Sequence, residues 1–324
     1  MTLLVGYAPD GRGRAVLHLA GMLARSTGDD MLMCAVVSEP WPPSPARVDA
    51  EYQTHVRRAA EDALERGRGR LAADVPVTTL IHRARSAPAG LLEVAEVHGA
   101  SVIVAGSAAA GGAGHVALGS TTSRLLHSSH VPVALAPRGY RAAADARVAR
   151  VTAAFAGTDH DLVLAAAEVA ARTGAALRLA SFVVHARAPY TSGVGREADD
   201  SMVDEWTAGV RDAQRSALAR VRELAVVPEE CEAVVGHGEE WDEALEDVEW
   251  DDGDVLVVGS SSIGPLARVF LGSRANKIVR HSPVPAVVVP RRVVAELADE
   301  ATSGAAAAGD AGEHLADDAL GDQR

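Results

Sequence analysis

Short runs of consecutive apolar residues alternate with longer amphipathic stretches along most of the chain. VIVAG (102–106), VLVVG (255–259) and AVVVP (286–290) offer no polar position to water on either face, the mark of strands buried on both sides. In between, apolar residues return at i, i+3 and i+4: Ala15, Leu19, Met22 and Leu23 in one stretch, Leu162, Ala166, Val169 and Ala170 in another. Read this way, the first half has strands at 2–7, 31–37, 75–82, 101–106 and 132–136, with helices at 13–27, 48–72, 88–98 and 119–129. The second half has strands at 149–155, 176–184, 231–236, 254–259 and 285–289, with helices at 159–173, 201–224, 239–248 and 272–281. EPWPPSPA and RAPYTSGVG read as loops. Strict alternation of strand and helix predicts parallel sheets covered by helices, wound both ways through right-handed crossovers.

The same order occurs twice because the chain repeats itself. An offset of 153 pairs Gly106 with Gly259, Ser107 with Ser260, Gly111 with Gly264, and Gly119-Ser120 with Gly272-Ser273. It also pairs Val131-Pro132 with Val284-Pro285 and Pro137-Arg138 with Pro290-Arg291, without a gap. So long a period is a duplicated domain and not a solenoid unit. The expected organisation is a domain over 1–140, a second over 148–294, and a disordered acidic tail over 295–324, with a frayed helix through 295–300 as the alternative. The closing strands, 131–136 and 284–289, are apolar throughout, so they are expected to face each other and protect both edges. Pairing between chains, as a homodimer, stays open.

Composition narrows the function. The net charge is −13, of which residues 295–324 contribute −7, leaving a mildly acidic body. That balance argues against nucleic acid and anionic membrane as partners. No apolar run is long enough to span a bilayer, and the N-terminal residues read as a strand and not as a leader, so a cytoplasmic location is expected. Cys34 and Cys231 sit in apolar stretches and read as reduced, buried thiols. The 12 histidines form no His-x3-His pair with a carboxylate, and His127 and His130 lie at the far end of their helix, so no metal site is expected. Trp206, Trp241 and Trp250 fall among helical positions and read as packing anchors.

The candidate chemistry lies after the fourth strand of each half. In a doubly wound sheet, ligands bind beyond the carboxyl ends of strands where the winding reverses. There Gly106-Ser107 ends a strand and Gly119-Ser120-Thr121 opens a helix; Gly259-Ser260 and Gly272-Ser273 do the same in the second half. Glycines allow close approach or positive φ, and a helix N-terminus presents free N–H groups to a phosphate. Ser120 and Ser273 are expected at the N-cap positions. A tight strand-to-helix turn would explain the same residues without a ligand.

The spacing Gly-x2-Gly-x9-Gly-Ser, followed by a helix and a VPV-type strand, resembles the universal stress protein family, and the resemblance runs through both halves. It implies a Rossmann-like, five-stranded parallel sheet of order 3-2-1-4-5 in each half, adenine-nucleotide binding, and domains that pair through their fifth strands. Gly106, Gly119 and Ser120 match the family motif in the first half; Gly259, Gly272 and Ser273 match it in the second. The middle glycine is replaced by Ala109 and Ser262, a further loop glycine is kept as Gly112 against Pro265, and His115 and Arg268 share one loop position. The acid that nucleotide-binding members carry after strand one is Ala8 here and Ala156 in the second half, with Thr158 keeping the hydroxyl position and Asp10 replacing it in the first. Losing a charged acceptor from a nucleoside contact costs on the order of 1.5–3 kcal/mol. Three functions therefore stay open: a stress-response regulator that binds ATP or another adenine nucleotide weakly, a nucleotide-free interaction scaffold, and a slow ATPase. The sequence names no general base, so a non-enzyme is expected.

Overall fold

A computed structural model describes residues 1–8, 13–38, 47–108, 114–186, 193–260 and 272–303. Two compact units emerge, one from Met1–Ala149 with Glu249–Arg291, the other from Arg150–Val248 with Arg292–Arg324.

In the first unit, β1 (Thr2–Gly6), β2 (Asp30–Ser38), β3 (Val77–Ala84), β4 (Ala100–Gly106) and β5 (Val133–Ala136) are parallel and ordered β3-β2-β1-β4-β5. The helices are α1 (Arg14–Thr27), α2 (Arg47–Arg68), α3 (Ala87–Val97) and α4 (Ser120–Ser128). With this order, right-handed crossovers send α1 and α2 to one face and α3 and α4 to the other, and α3 packs on α4. Winding reverses between β1 and β4, so their carboxyl ends open a crevice. The strands read as unbroken apolar runs because both faces are covered: Leu3, Leu4, Val5, Met33, Ile103 and Val104 are all buried.

The second repeat supplies this unit with β9 (Asp254–Gly259), α8 (Ser273–His281) and β10 (Ala286–Val289). β9 and β10 are parallel, whereas β10 runs antiparallel to β5, with Ala286 opposite Leu135, Val287 opposite Ala134 and Val288 opposite Val133. The turn into each closing strand is built alike. Ser129 and Ser282, 153 positions apart, are fully buried and donate to the carbonyls of Val131 at 2.6 Å and Val284 at 2.7 Å.

The second unit holds β6 (Arg150–Ala154), β7 (Ala176–Val184) and β8 (Cys231–Gly238), parallel, with α5 (His160–Thr173), α6 (Gly193–Val221) and α7 (Trp241–Glu246). Across these strands the buried Arg178 meets Glu232 at 2.6 Å, and Arg150 reaches the same carboxylate at 3.3 Å. Thr207, Gln214, Leu218 and Val221 form the buried stripe of α6, and Gln214 donates to Ser181 Oγ at 3.0 Å and the Val234 carbonyl at 2.8 Å. Trp206 is one residue off that stripe. It is 50% exposed and meets the ring of His185 edge-on at 6.0 Å, which corrects its reading as a packing anchor.

The tail also differs from expectation. Residues 291–303 form a helix, α9, in which Val294, Ala298 and Ala301 recur at i, i+4 and i+7 and are buried. Glu300 pairs with Arg172 of α5 at 3.6 Å. The alternating small and acidic residues concealed an amphipathic face made mostly of alanine. The tail from 304 onward lies outside the described residues.

Both cysteines are free, with Cys34 buried in β2 and Cys231 partly so at the start of β8. Burial pushes the Cys34 thiol up to about 11, against a hydrogen bond from the His82 backbone that pulls it down. Burial, and then the charge of Asp252, push the Tyr140 hydroxyl up to about 12.

Two measurements check this fold. Leu135 is fully buried in the β5–β10 ladder; Leu135→Ala is expected to cost about 2–5 kcal/mol in denaturant unfolding and to speed amide exchange in both strands. The alkaline limb follows from the thiol: the protonated form is favoured in the fold, so its stabilisation is complete below pH 9.0 and is lost as pH rises towards about 11. Unfolding titrations from pH 8 to 11 should show Cys34→Ala with a shallower decline than the parent, the Tyr140 contribution remaining.

Candidate functional site

The loop after β4 is closed at its base by hydrogen bonds. Ser107 Oγ accepts from Ala117 N at 2.5 Å, and Ala108 N donates to the Ala117 carbonyl at 2.7 Å. Gly114 N donates to the Arg138 carbonyl at 2.9 Å while Arg138 N donates to the His115 carbonyl at 3.0 Å, so the returning limb is stitched to the segment just past β5. Ser107, a predicted ligand contact, thus has its hydroxyl engaged in shaping the loop. His115 contributes its carbonyl to that closure; its Nδ1 is buried and has no partner among the described residues.

Gly119 and not Ser120 is the N-cap of α4, in extended backbone at φ −83° and ψ 178°, with no side-chain cap. The second repeat agrees: Gly272 is the N-cap of α8 at φ −62° and ψ 163°, and Ser273 is the first helical residue. The expected serine caps are therefore corrected. The serines stand at N1, already inside the helix, where the hydroxyl does not take the N2 and N3 amides that an N-cap side chain meets. Glycine at 119 is required by space and not by φ, since a Cβ there would stand 2.9 Å from Ala108 Cβ. Thr122, missed in the sequence, fastens the arrangement from within, its buried Oγ1 donating to the Gly106 carbonyl at 3.3 Å. A threonine in a first helical turn carries no signal that separates this role from an ordinary helix position.

These contacts bring Gly106, Ser107, Gly119, Ser120 and Thr121 together at the carboxyl end of β4. Ser120 is exposed, and the first turn of α4 itself holds no acid to compete for its opening N–H groups. That end suits a phosphate. In the second repeat, Gly259 ends β9, Ser260 Oγ accepts from Arg291 N at 3.0 Å, and α8 likewise opens with no acid and no side-chain cap. Gly112, Ala109, Ser262, Pro265 and Arg268 lie outside the described residues.

The turn after the first strand of each repeat carries no acid at the position where the resemblance places one. Tyr7 is buried, its N–H on the Cys34 carbonyl at 2.9 Å, and Ala8 follows it exposed. Phe155 repeats that contact, with its N–H on the Ala180 carbonyl at 2.8 Å, and Ala156 is exposed after it. Thr158 is exposed, while Asp159, unremarked in the sequence reading, caps α5 by accepting from Leu162 N at 3.3 Å. An acid directly before an apolar-periodic helix was the available signal. Asp10 lies outside the described residues. Among the described residues no three His, Cys, Asp or Glu side chains come together to hold a metal, and no helix is long and apolar enough to cross a membrane.

If the Ser107 hydroxyl shapes the loop, Ser107→Ala should cost about 1 kcal/mol. Amide exchange at Ala117 should quicken while exchange within β1 stays as it was.

Comparison with known proteins places the chain. The model of the universal stress protein family matches residues 1–137 and again 150–290. A universal stress protein of Mycobacterium tuberculosis is 41% identical over 297 residues, covering 90% of this chain and all of the relative, and one of Mycobacterium bovis gives the same figures. A universal stress protein from Archaeoglobus fulgidus superposes with TM-score 0.53 at 17% identity, covering 90% of this chain and 98% of that one. A functionally unknown protein from Pseudomonas aeruginosa reaches TM-score 0.53 at 14% identity, over 93% and 97% of the two chains. With the motif residues gathered after β4 and the whole pattern occurring twice, this chain belongs to the universal stress protein family and carries that family's domain in tandem.

Proposed function

We propose that the protein is a cytoplasmic stress-response regulator that binds an adenine nucleotide weakly, in its first repeat, without turning it over. The observation that carries this reading is the α4 N-terminus, which begins beside Gly106 with no side-chain cap and no acid in its first turn. Phosphates would rest against the first N–H groups of α4, with the Ser120 hydroxyl beside them. Ala8, where the family places an acid, leaves the nucleoside without a charged acceptor. Binding should follow phosphate number more than base, with ATP above AMP and GTP close to ATP.

Ala8 and Ala156 also favour a second reading, a scaffold whose nucleotide site has decayed. Calorimetric titration into nucleotide-stripped protein separates the two. On the first reading ATP gives saturable heat, and Ala8→Asp tightens it about ten-fold, the equivalent of about 1.4 kcal/mol. If millimolar ATP gives no heat and Ala8→Asp restores none, the scaffold reading stands.

A further inference from the structure

A second, unrelated pocket lies in the first unit, between α1, the turn after α2 and the segment that follows β5. It encloses about 310 Å³, and its lining includes Arg14, His18, Arg25 and Arg70, with Leu71 and Ala143 among the apolar walls. Arg14, His18, Gly21 and Arg25 recur at i, i+4, i+7 and i+11, which places all four on one stripe of α1. Arg14 and Arg25 therefore reach the pocket from one face of α1, and Arg70 from the turn after α2.

The charge in this pocket is not balanced. Asp74 takes up one arginine, accepting from Arg25 Nε at 2.6 Å and Nη2 at 3.1 Å. That pairing holds the Arg25 guanidinium in place, with its side chain only 8% exposed. The same arginine holds Asp74 below the ordinary carboxylate range, chiefly through the hydrogen bond. Gly21 makes room for the guanidinium, since a Cβ there would lie 3.2 Å from Arg25 Nη1. Among the described residues no carboxylate lines the pocket, and neither Arg14 nor Arg70 has an ion-pair partner. In a chain of net charge −13, two arginines without an ion-pair partner among the described residues, sharing one pocket, form a local reversal of sign.

The remaining wall is ordered by α1 itself. Val148 N donates to Ser26 Oγ at 2.7 Å, Arg147 donates to the Arg25 carbonyl, and Tyr140 Oη donates to Met22 Sδ at 3.4 Å. These three bonds hold residues 140–148 along the helix and bring Ala143 and Ala144 against the pocket.

We propose that this pocket is a binding site for a small phosphorylated metabolite, separate from the loop after β4. Arg14 and Arg70 would grip the phosphate oxygens, an arrangement that guanidinium groups favour. Leu71 and the two alanines would cover a short neutral body. The volume is at the low end of small-molecule sites, on the order of 300–1,000 Å³, which suits a triose-phosphate-sized ligand better than a nucleoside triphosphate.

Glycerol 3-phosphate is the test ligand and citrate the carboxylate control, each added to the full chain, with hydrogen exchange and calorimetry as readouts. Glycerol 3-phosphate is expected to bind with one-to-one stoichiometry and to slow exchange in α1 and residues 140–148. Citrate should bind at least ten-fold more weakly. The double substitution Arg14→Gln, Arg70→Gln, both at exposed positions, should weaken glycerol 3-phosphate at least ten-fold while leaving any ATP heat and the melting temperature unchanged. The proposal is overturned if millimolar glycerol 3-phosphate does not bind, if the double variant binds it as tightly as the parent, or if protection appears at 106–121 instead. Tighter binding of citrate overturns the phosphate assignment.

Discussion

β5 and β10 are four residues long and buried nearly throughout, and each would be an exposed apolar edge without the other. An edge of that kind leaves a row of backbone donors and acceptors open to any strand that arrives. Antiparallel pairing of Ala286–Val288 with Leu135–Val133 removes both edges at once, and the loops are anchored just beyond it. Arg138, two residues past β5, exchanges backbone bonds with Gly114 and His115; Arg291, two residues past β10, donates to Ser260. The strands that close the core therefore also hold the limbs of the candidate site.

The site divides into a part made of backbone and a part made of side chains, and the two have fared differently. The phosphate end depends on Gly119 lying against Ala108, on Thr122 holding the Gly106 carbonyl, and on an acid-free helix start. Folding supplies the first two, and the residues Ser120–Ser123 supply the third. On the proposed reading, the nucleoside end would depend on one charged side chain after the first strand, and alanine stands there in both repeats.

α1 serves two environments. One side covers the sheet with Val16, Leu19, Ala20 and Met22, all buried. Another presents Arg14, His18 and Arg25 to the arginine-lined pocket. Because Arg25 is fixed by Asp74 and its carbonyl is held by Arg147, a charge entering that pocket would act on a helix already tied to residues 140–148.

The amino-acid sequence alone determined the order of strands and helices, the duplication and the glycine-serine motif, because each is written in local periodicity or in a gapless repeat. It also marked the missing acid at Ala8 and Ala156. Tertiary structure decided what those residues do. The cap position passed from Ser120 to Gly119 because the helix starts one residue earlier than a Ser120 cap implies, and Ser107 became a loop clasp because Ala117, ten positions away, comes within reach. Helix α9 rested on alanines whose burial depends on what they pack against. The arginine pocket joins residues 14, 25, 70 and 143, and no window along the chain contains them together. Local pattern records which face of an element is apolar; which distant groups meet there is set only when the elements pack.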